Sequence, residues 1–121
     1  MPSDKDQERE DRIQNEIIVD CYDEYELAAG WHCHLEDNLT FPFKAKCANE
    51  RTISPLKLGE IVEVMNMADQ DDCLHEMFAI IRFIDRRLAV PLAQLQPIDA
   101  DESTTEAVGD WHYWVGQGYQ F

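Results

Sequence analysis

Residues 77–84 read Met-Phe-Ala-Ile-Ile-Arg-Phe-Ile, a nearly continuous apolar run of strand length. So short a β-branched and aromatic run reads as a strand buried in a sheet rather than as a helix. Asp85-Arg86 then offers a tight turn, without the glycine such turns prefer. Arg87-Leu88-Ala89-Val90-Pro91-Leu92 returns, and Pro91 marks a strand end or a sheet edge. Upstream, Ile61-Val62-Glu63-Val64-Met65-Asn66-Met67 is β-branched and partly alternating, a second strand signal. Residues 95–98 fit a last short strand or a single helical turn.

Two helices frame this β region. From Val19 to about Asn38, Leu27, Trp31 and Leu35 recur at i, i+4 and i+8, with Asp20 or Asp23 as cap. Gly30 weakens that helix or marks a break, and Phe41-Pro42 turns the chain extended. Near the C-terminus, Ser103-Thr104-Thr105-Glu106 has capping-box spacing. Ala107, Val108, Trp111, Trp114 and Val115 follow as an apolar stripe, and Gly116 and Gly118 end the helix. Trp111 and Trp114 should be buried and Tyr113 partly exposed. Residues 1–15 are charged and aperiodic and read as a disordered arm. Residues 16–121 read as a single domain, α+β but mainly β: a small β-barrel between two helices.

The formal net charge is −15 over 121 residues. That disfavours nucleic acid, which needs cationic phosphate contacts, and anionic membranes. It suits cations or a basic partner. No apolar run is long enough to span a bilayer. The polar stretch Met1–Asn15 is unlike a secretory signal, so the cytoplasm is the expected compartment. The four cysteines form no C-x-x-C pair and read as free thiols.

Between the two central strands lies Asp69-Gln70-Asp71-Asp72-Cys73-Leu74-His75-Glu76, four carboxylates with no Lys or Arg in eight residues. Such a loop repels itself unless solvent screens it or a cation binds. Calcium takes roughly six to eight oxygens from carboxylates, amides and carbonyls. The octet offers Asp69, Asp71, Asp72 and Glu76. The junction after the first helix offers Glu36, Asp37, Asn38 and Thr40. The two segments either act separately or meet in space. An EF-hand is excluded: from Asp69, position 6 is Leu74 rather than Gly and position 12 is Ile80. From Asp99, position 6 is Thr104, and the segment runs into a helix. Zinc fits poorly, because His32, Cys33 and His34 point about 100° apart on a helix. No nucleophile or phosphate-loop signature is present, so an enzyme is not expected.

Several segments taken in order resemble the small acidic calcium-binding protein family of cyanobacteria and other bacteria. They are Leu35–Phe43 (LEDNLTFPF), Ser54–Glu60 (SPLKLGE) leading into Val62–Val64, Cys73–Phe78 (CLHEMF), Leu88–Leu95 (LAVPLAQL) and Asp110–Trp114 (DWHYW). The resemblance covers roughly residues 16–121. It implies an SH3-like β-barrel core, calcium bound outside any EF-hand, and an intracellular buffering or regulatory role. It also implies ligands at Asp37 and Asn38 and among the acids around Cys73–Glu76. The expected calcium ligands are therefore Asp37, Asn38, Thr40, Asp69, Asp71, Asp72 and Glu76. The alternative is an acidic interaction module whose flanks steer a basic protein partner.

Overall fold

The computed structural model describes residues 6–119 and residue 121. Five strands, β1 Phe43–Cys47, β2 Ile61–Met67, β3 Phe78–Phe83, β4 Arg86–Pro91 and β5 Leu95–Ile98, make one antiparallel sheet in the order β4-β3-β2-β1-β5. The expected strands are present, and residues 95–98 settle as a strand. The expected closed barrel is not: β4 and β5 do not pair, so the sheet is open with two edges. The β4–β5 link is a single 3-10 turn, Leu92–Gln94, that carries the chain from one edge to the other. The class is α+β, mainly β.

The hairpin turn falls at Ile84-Asp85, one residue earlier than the sequence suggests, because Phe83 pairs with Arg86. Ile84 has φ +59° and is 83% exposed. A β-branched side chain in the left-handed region is strained. Ile84→Gly should therefore stabilise the protein by about 1 kcal/mol. Urea unfolding reads this; an unchanged or lower midpoint would show that the turn is not strained.

One face of the sheet is covered by helices α2, Glu24–Asn38, and α3, Glu102–Gly116. Asp23 caps α2, accepting from the Glu26 amide at 2.8 Å, so the helix begins later than Val19. The helices meet through Trp31, Trp111 and Trp114, all nearly inaccessible. The Trp31 ring lies 5.1 Å from Trp111 and 5.5 Å from Trp114, centroid to centroid. Val64, Ile81, Val90 and Leu95 close the core from the sheet side. Tyr113 is half-buried, as its place off the tryptophan stripe predicts.

The cap of α3 is Asp101, not Ser103. The Asp101 carboxylate accepts from the Thr104 amide at 2.8 Å, while the Ser103 hydroxyl donates to the Asn38 carbonyl at 2.7 Å. Two aspartates thus start the two main helices, where the exposed amides favour an anion.

The N-terminal arm departs furthest from expectation. Residues 1–5 lie outside the described residues, but Gln7–Arg12 form a short helix, α1, and Ile13–Ile17 one π-helical turn. Ile13 and Ile17 are buried. Arg12 reaches Asp110 at 2.7 Å and Arg9 reaches it at 3.0 Å, and the Asp110 side chain is wholly inaccessible. Two helix-interior glycines make room for this arm. A Cβ at Gly30 would stand 2.9 Å from the Ile17 carbonyl oxygen, and one at Gly109 2.8 Å from Arg9 Nη1.

Burial also sets the acid response. Burial pushes the His112 pKa below its usual value of 6.5, against the raising effect of the Leu95 and Leu92 carbonyls. Burial lowers His34 likewise, although the Asp110 charge opposes it. A histidine with a lowered folded pKa takes up its proton more readily in the unfolded chain. Its contribution is therefore complete above pH 6.5 and lost as pH falls below it. The melting temperature should drop between pH 7.5 and 5, and His112→Gln should flatten that slope. An unaltered slope in the variant would contradict this assignment.

Candidate metal centre

The acidic octet leaves β2 and enters β3 across a fixed base. The Ala68 amide donates to the Phe78 carbonyl at 3.0 Å, which holds the two ends together. Asp69 opens a 3-10 turn, Gln70–Cys73, and its carbonyl accepts from the Asp72 amide at 2.9 Å. Cys73 is fully buried beneath the turn, and its sulfur accepts from the Phe78 amide at 3.3 Å. With Cys73 inside, Asp69, Asp71 and Asp72 are forced outward into solvent. The octet lies between two strands, not two helices, in keeping with the missing EF-hand pattern.

Helix α2 packs on this turn. Buried His32 donates from Nε2 to the Ala68 carbonyl at 2.7 Å, immediately before Asp69. Gln70 Nε2 reaches the Tyr25 hydroxyl at 3.4 Å. One helical turn after His32, Glu36 Oε1 stands 3.3 Å from His32 Nδ1. Glu36 thus lies on the side of α2 that faces the octet. The field at Cys73 records the convergence. Burial is the main cause of its raised thiol pKa, and the charges of Asp72, Glu36 and Asp69 raise it further. The thiol stays protonated and serves as a plug, not a ligand.

The expected ligands separate into three groups. Asp69, Asp71 and Asp72 stay together on the 3-10 turn. Glu76 is held by Arg51 in a two-bond pair at 2.8 and 3.1 Å, which raises the Arg51 pKa. Its charge is already matched inside the protein. Asp37 is exposed one position round the helix from Glu36, with the Cys33 sulfur 3.7 Å away. Asn38 and Thr40 turn instead toward the start of α3. The Asn38 amide nitrogen donates to the His34 carbonyl at 2.8 Å, and the Thr40 hydroxyl donates to Asp101 at 2.6 Å. Bonds from Thr104 and Thr40 hold the Asp101 carboxyl below its ordinary pKa. Glu36 is absent from the set that sequence reasoning favoured. The signal for it was the i, i+4 spacing to His32, which fixes its direction once His32 is known to be buried.

Among the described residues, no three His, Cys, Asp or Glu side chains already stand close enough to hold an ion. The chemistry of the group nonetheless fits calcium: exposed carboxylates on a short turn, a further carboxylate from the facing helix, and, among the described residues, no Lys or Arg paired with any of them. His32, Cys33 and His34 diverge, to Ala68, to solvent and to Asn38 respectively, as helical geometry requires.

This fold recurs in proteins of known structure. The chain is similar to CcbP of Anabaena, at 40% identity over 100% of both chains with a TM-score of 0.88. It is also similar to a calcium binding protein in the calcium-binding form, at 39% identity over 97% of this chain and 96% of that one, with a TM-score of 0.86. No curated protein sequence matches. The model of the CcbP calcium-binding family matches residues 11–115. That span includes Arg12, the octet and Asp110, the parts that build both the core and the acidic turn, and the chain belongs to the CcbP family of calcium-binding proteins.

Proposed function

We propose that this protein binds calcium at the Asp69–Cys73 turn, with Asp69, Asp71 and Asp72 as charged donors and Glu36 completing the site from α2. Asp37 joins them by side-chain rotation, and backbone carbonyls and water fill the remaining positions. Asn38 and Thr40 act indirectly, by fixing the end of α2 against α3. Glu76 stays with Arg51. The role is that of a calcium buffer or regulator in the cytoplasm, not of an enzyme. The observation that supports this reading is the packing of α2 on the acidic turn: His32 Nε2 meets the Ala68 carbonyl at 2.7 Å, immediately before Asp69, and Glu36 stands 3.3 Å from the same ring.

Calcium should release mutual repulsion among these acids and so stabilise the fold, by about 2.7 kcal/mol at a hundredfold excess over Kd. Calorimetry with calcium and magnesium is the test. Asp69→Asn combined with Asp72→Asn should weaken calcium binding by about tenfold or more, since affinity follows ligand charge. Glu36→Gln should weaken it less, and Glu76→Gln should leave it nearly unchanged. The absence of both heat and thermal shift at about 1 mM calcium would reject the proposal, because even weak protein sites fill in that range.

A further inference from the structure

The acidic chain has one cationic face. Directly opposed residues in an antiparallel sheet lie on the same side. The register Lys44↔Glu63↔Arg82↔Arg87 therefore sets three cations and one acid in a row across four strands of the sheet, from β1 to β4. This is the face turned away from the helices: Lys44, Arg82 and Arg87 are exposed, while their neighbours Ala45, Ile81 and Val64 are buried. Lys46, Arg82, Arg86 and Arg87 also lie on this side or at its hairpin. With Lys44 they are half of the chain's 10 Lys and Arg.

Arg82 and Arg87 are directly opposed like charges, an arrangement that destabilises a sheet. Arg82 approaches Glu63 at 3.7 Å, an exposed and weak contact. Among the described residues, Lys44, Lys46 and Arg87 have no ion-pair partner. Arg82, Ile84, Asp85, Arg86 and Arg87 line an open depression of about 310 Å3 at the hairpin. Beside it β4 is a free edge: it pairs only with β3, and among the described residues no other backbone bond reaches it.

We infer that this edge receives an extended acidic segment of a partner protein, added as a strand beside β4. Such addition uses the unpaired amides and carbonyls for affinity and alternate side chains for selectivity. A Glu or Asp of the incoming strand then stands opposite Arg87 and extends the row with the missing negative charge. Its alternate apolar side chains lie beside Leu88 and Val90. The net charge of −15 repels long polyanions, so a short acidic segment fits this face better than nucleic acid or an anionic bilayer. The partner has the opposite sign to one steered by the acidic flanks, and the surface is separate from the calcium turn.

The test is fluorescence anisotropy with a labelled peptide of alternating Glu and Val against the full protein. A Gln/Val peptide, a duplex oligonucleotide and phosphatidylserine vesicles are run in parallel. The Glu/Val peptide should bind saturably, more weakly as salt rises. The Gln/Val peptide should bind about tenfold more weakly, and Arg82→Gln/Arg87→Gln should lose about tenfold for the acidic one. Bound peptide should slow amide exchange over residues 86–90. Calcium heat in the double variant should be unchanged, which also shows that it is folded. No saturable binding, affinity indifferent to the substitutions, or equal or tighter binding of the oligonucleotide or vesicles would overturn the inference.

Discussion

Asp110→Ala should lower unfolding stability by about 3 kcal/mol at neutral pH, as breaking a buried ion pair generally does. The carboxylate is wholly inaccessible and receives Arg12 through two bonds, at 2.9 and 2.7 Å, and Arg9 at 3.0 Å. Its removal leaves Arg12 with a longer contact to Glu106 and Arg9 with one to Asp6, each at 3.6 Å. Arg9 is about one-third exposed and recovers solvation, so Arg12 carries most of the loss. The effect is also local. Amide exchange over residues 7–17 should accelerate more than exchange in the sheet, because the charged contact that remains from α1 to α3, Arg12 to Glu106 at 3.6 Å, is longer and half-exposed. A loss below about 1 kcal/mol would mean that the three groups are screened like a surface pair.

Trp31→Ala should cost about 4 kcal/mol, in the range for truncating a buried aromatic residue. Trp31 is 0% exposed and lies between Trp111 and Trp114, so its removal opens a cavity at the α2–α3 contact. Trp31→Phe separates packing from hydrogen bonding. The Trp31 Nε1 group is buried without a hydrogen-bond partner among the described residues. The phenylalanine variant removes that unsatisfied donor while it keeps a ring, and should lose less than half as much. Equal losses in the two variants would show that the indole is tied down by a bond not seen here. Both variants are read by urea unfolding with the tryptophan emission of Trp111 and Trp114. Either loss is a large fraction of the roughly 5–15 kcal/mol that holds a domain together.

These two positions also show what pattern reading reaches. Trp31, Trp111 and Trp114 were legible as core because helical spacing places them on apolar stripes. Asp110 was not, because an acid in a helix near the surface reads as solvated unless its partners are known. The partners lie about a hundred residues away in an arm whose composition reads as disorder. One sequence signal existed: Gly30 and Gly109 interrupt helices that otherwise have no reason to carry glycine. The structure supplies that reason in the arm itself, which packs so close that a Cβ would collide.

The candidate site divides the same way. The octet stood out because it holds four carboxylates and no Lys or Arg in eight residues. Its status as an outward turn follows from Cys73, the one residue in the octet that the core takes in completely. Asn38 and Thr40 were grouped with Asp37 as ligands because they share the junction after the first helix. On a helix each step turns the side chain by about 100°, so Glu36, Asp37 and Asn38 serve three directions, and Thr40 lies beyond the end of the helix. The docking of α2, fixed by Trp31 inside and by His32 on Ala68, sent Glu36 to the octet and Asn38 to α3.

By itself, then, the sequence determined β2, β3 and β4, the two long helices, the tryptophan core and the acidic turn, because these follow from periodicity and local charge, whereas β1 carried no such signal. Only the tertiary structure decided that the sheet stays open, that the charged arm is held by a buried aspartate, and that Glu36 lies beside His32 where α2 packs on the turn. Each of these depends on the direction in which an element docks, and direction is set by packing between residues far apart in the chain.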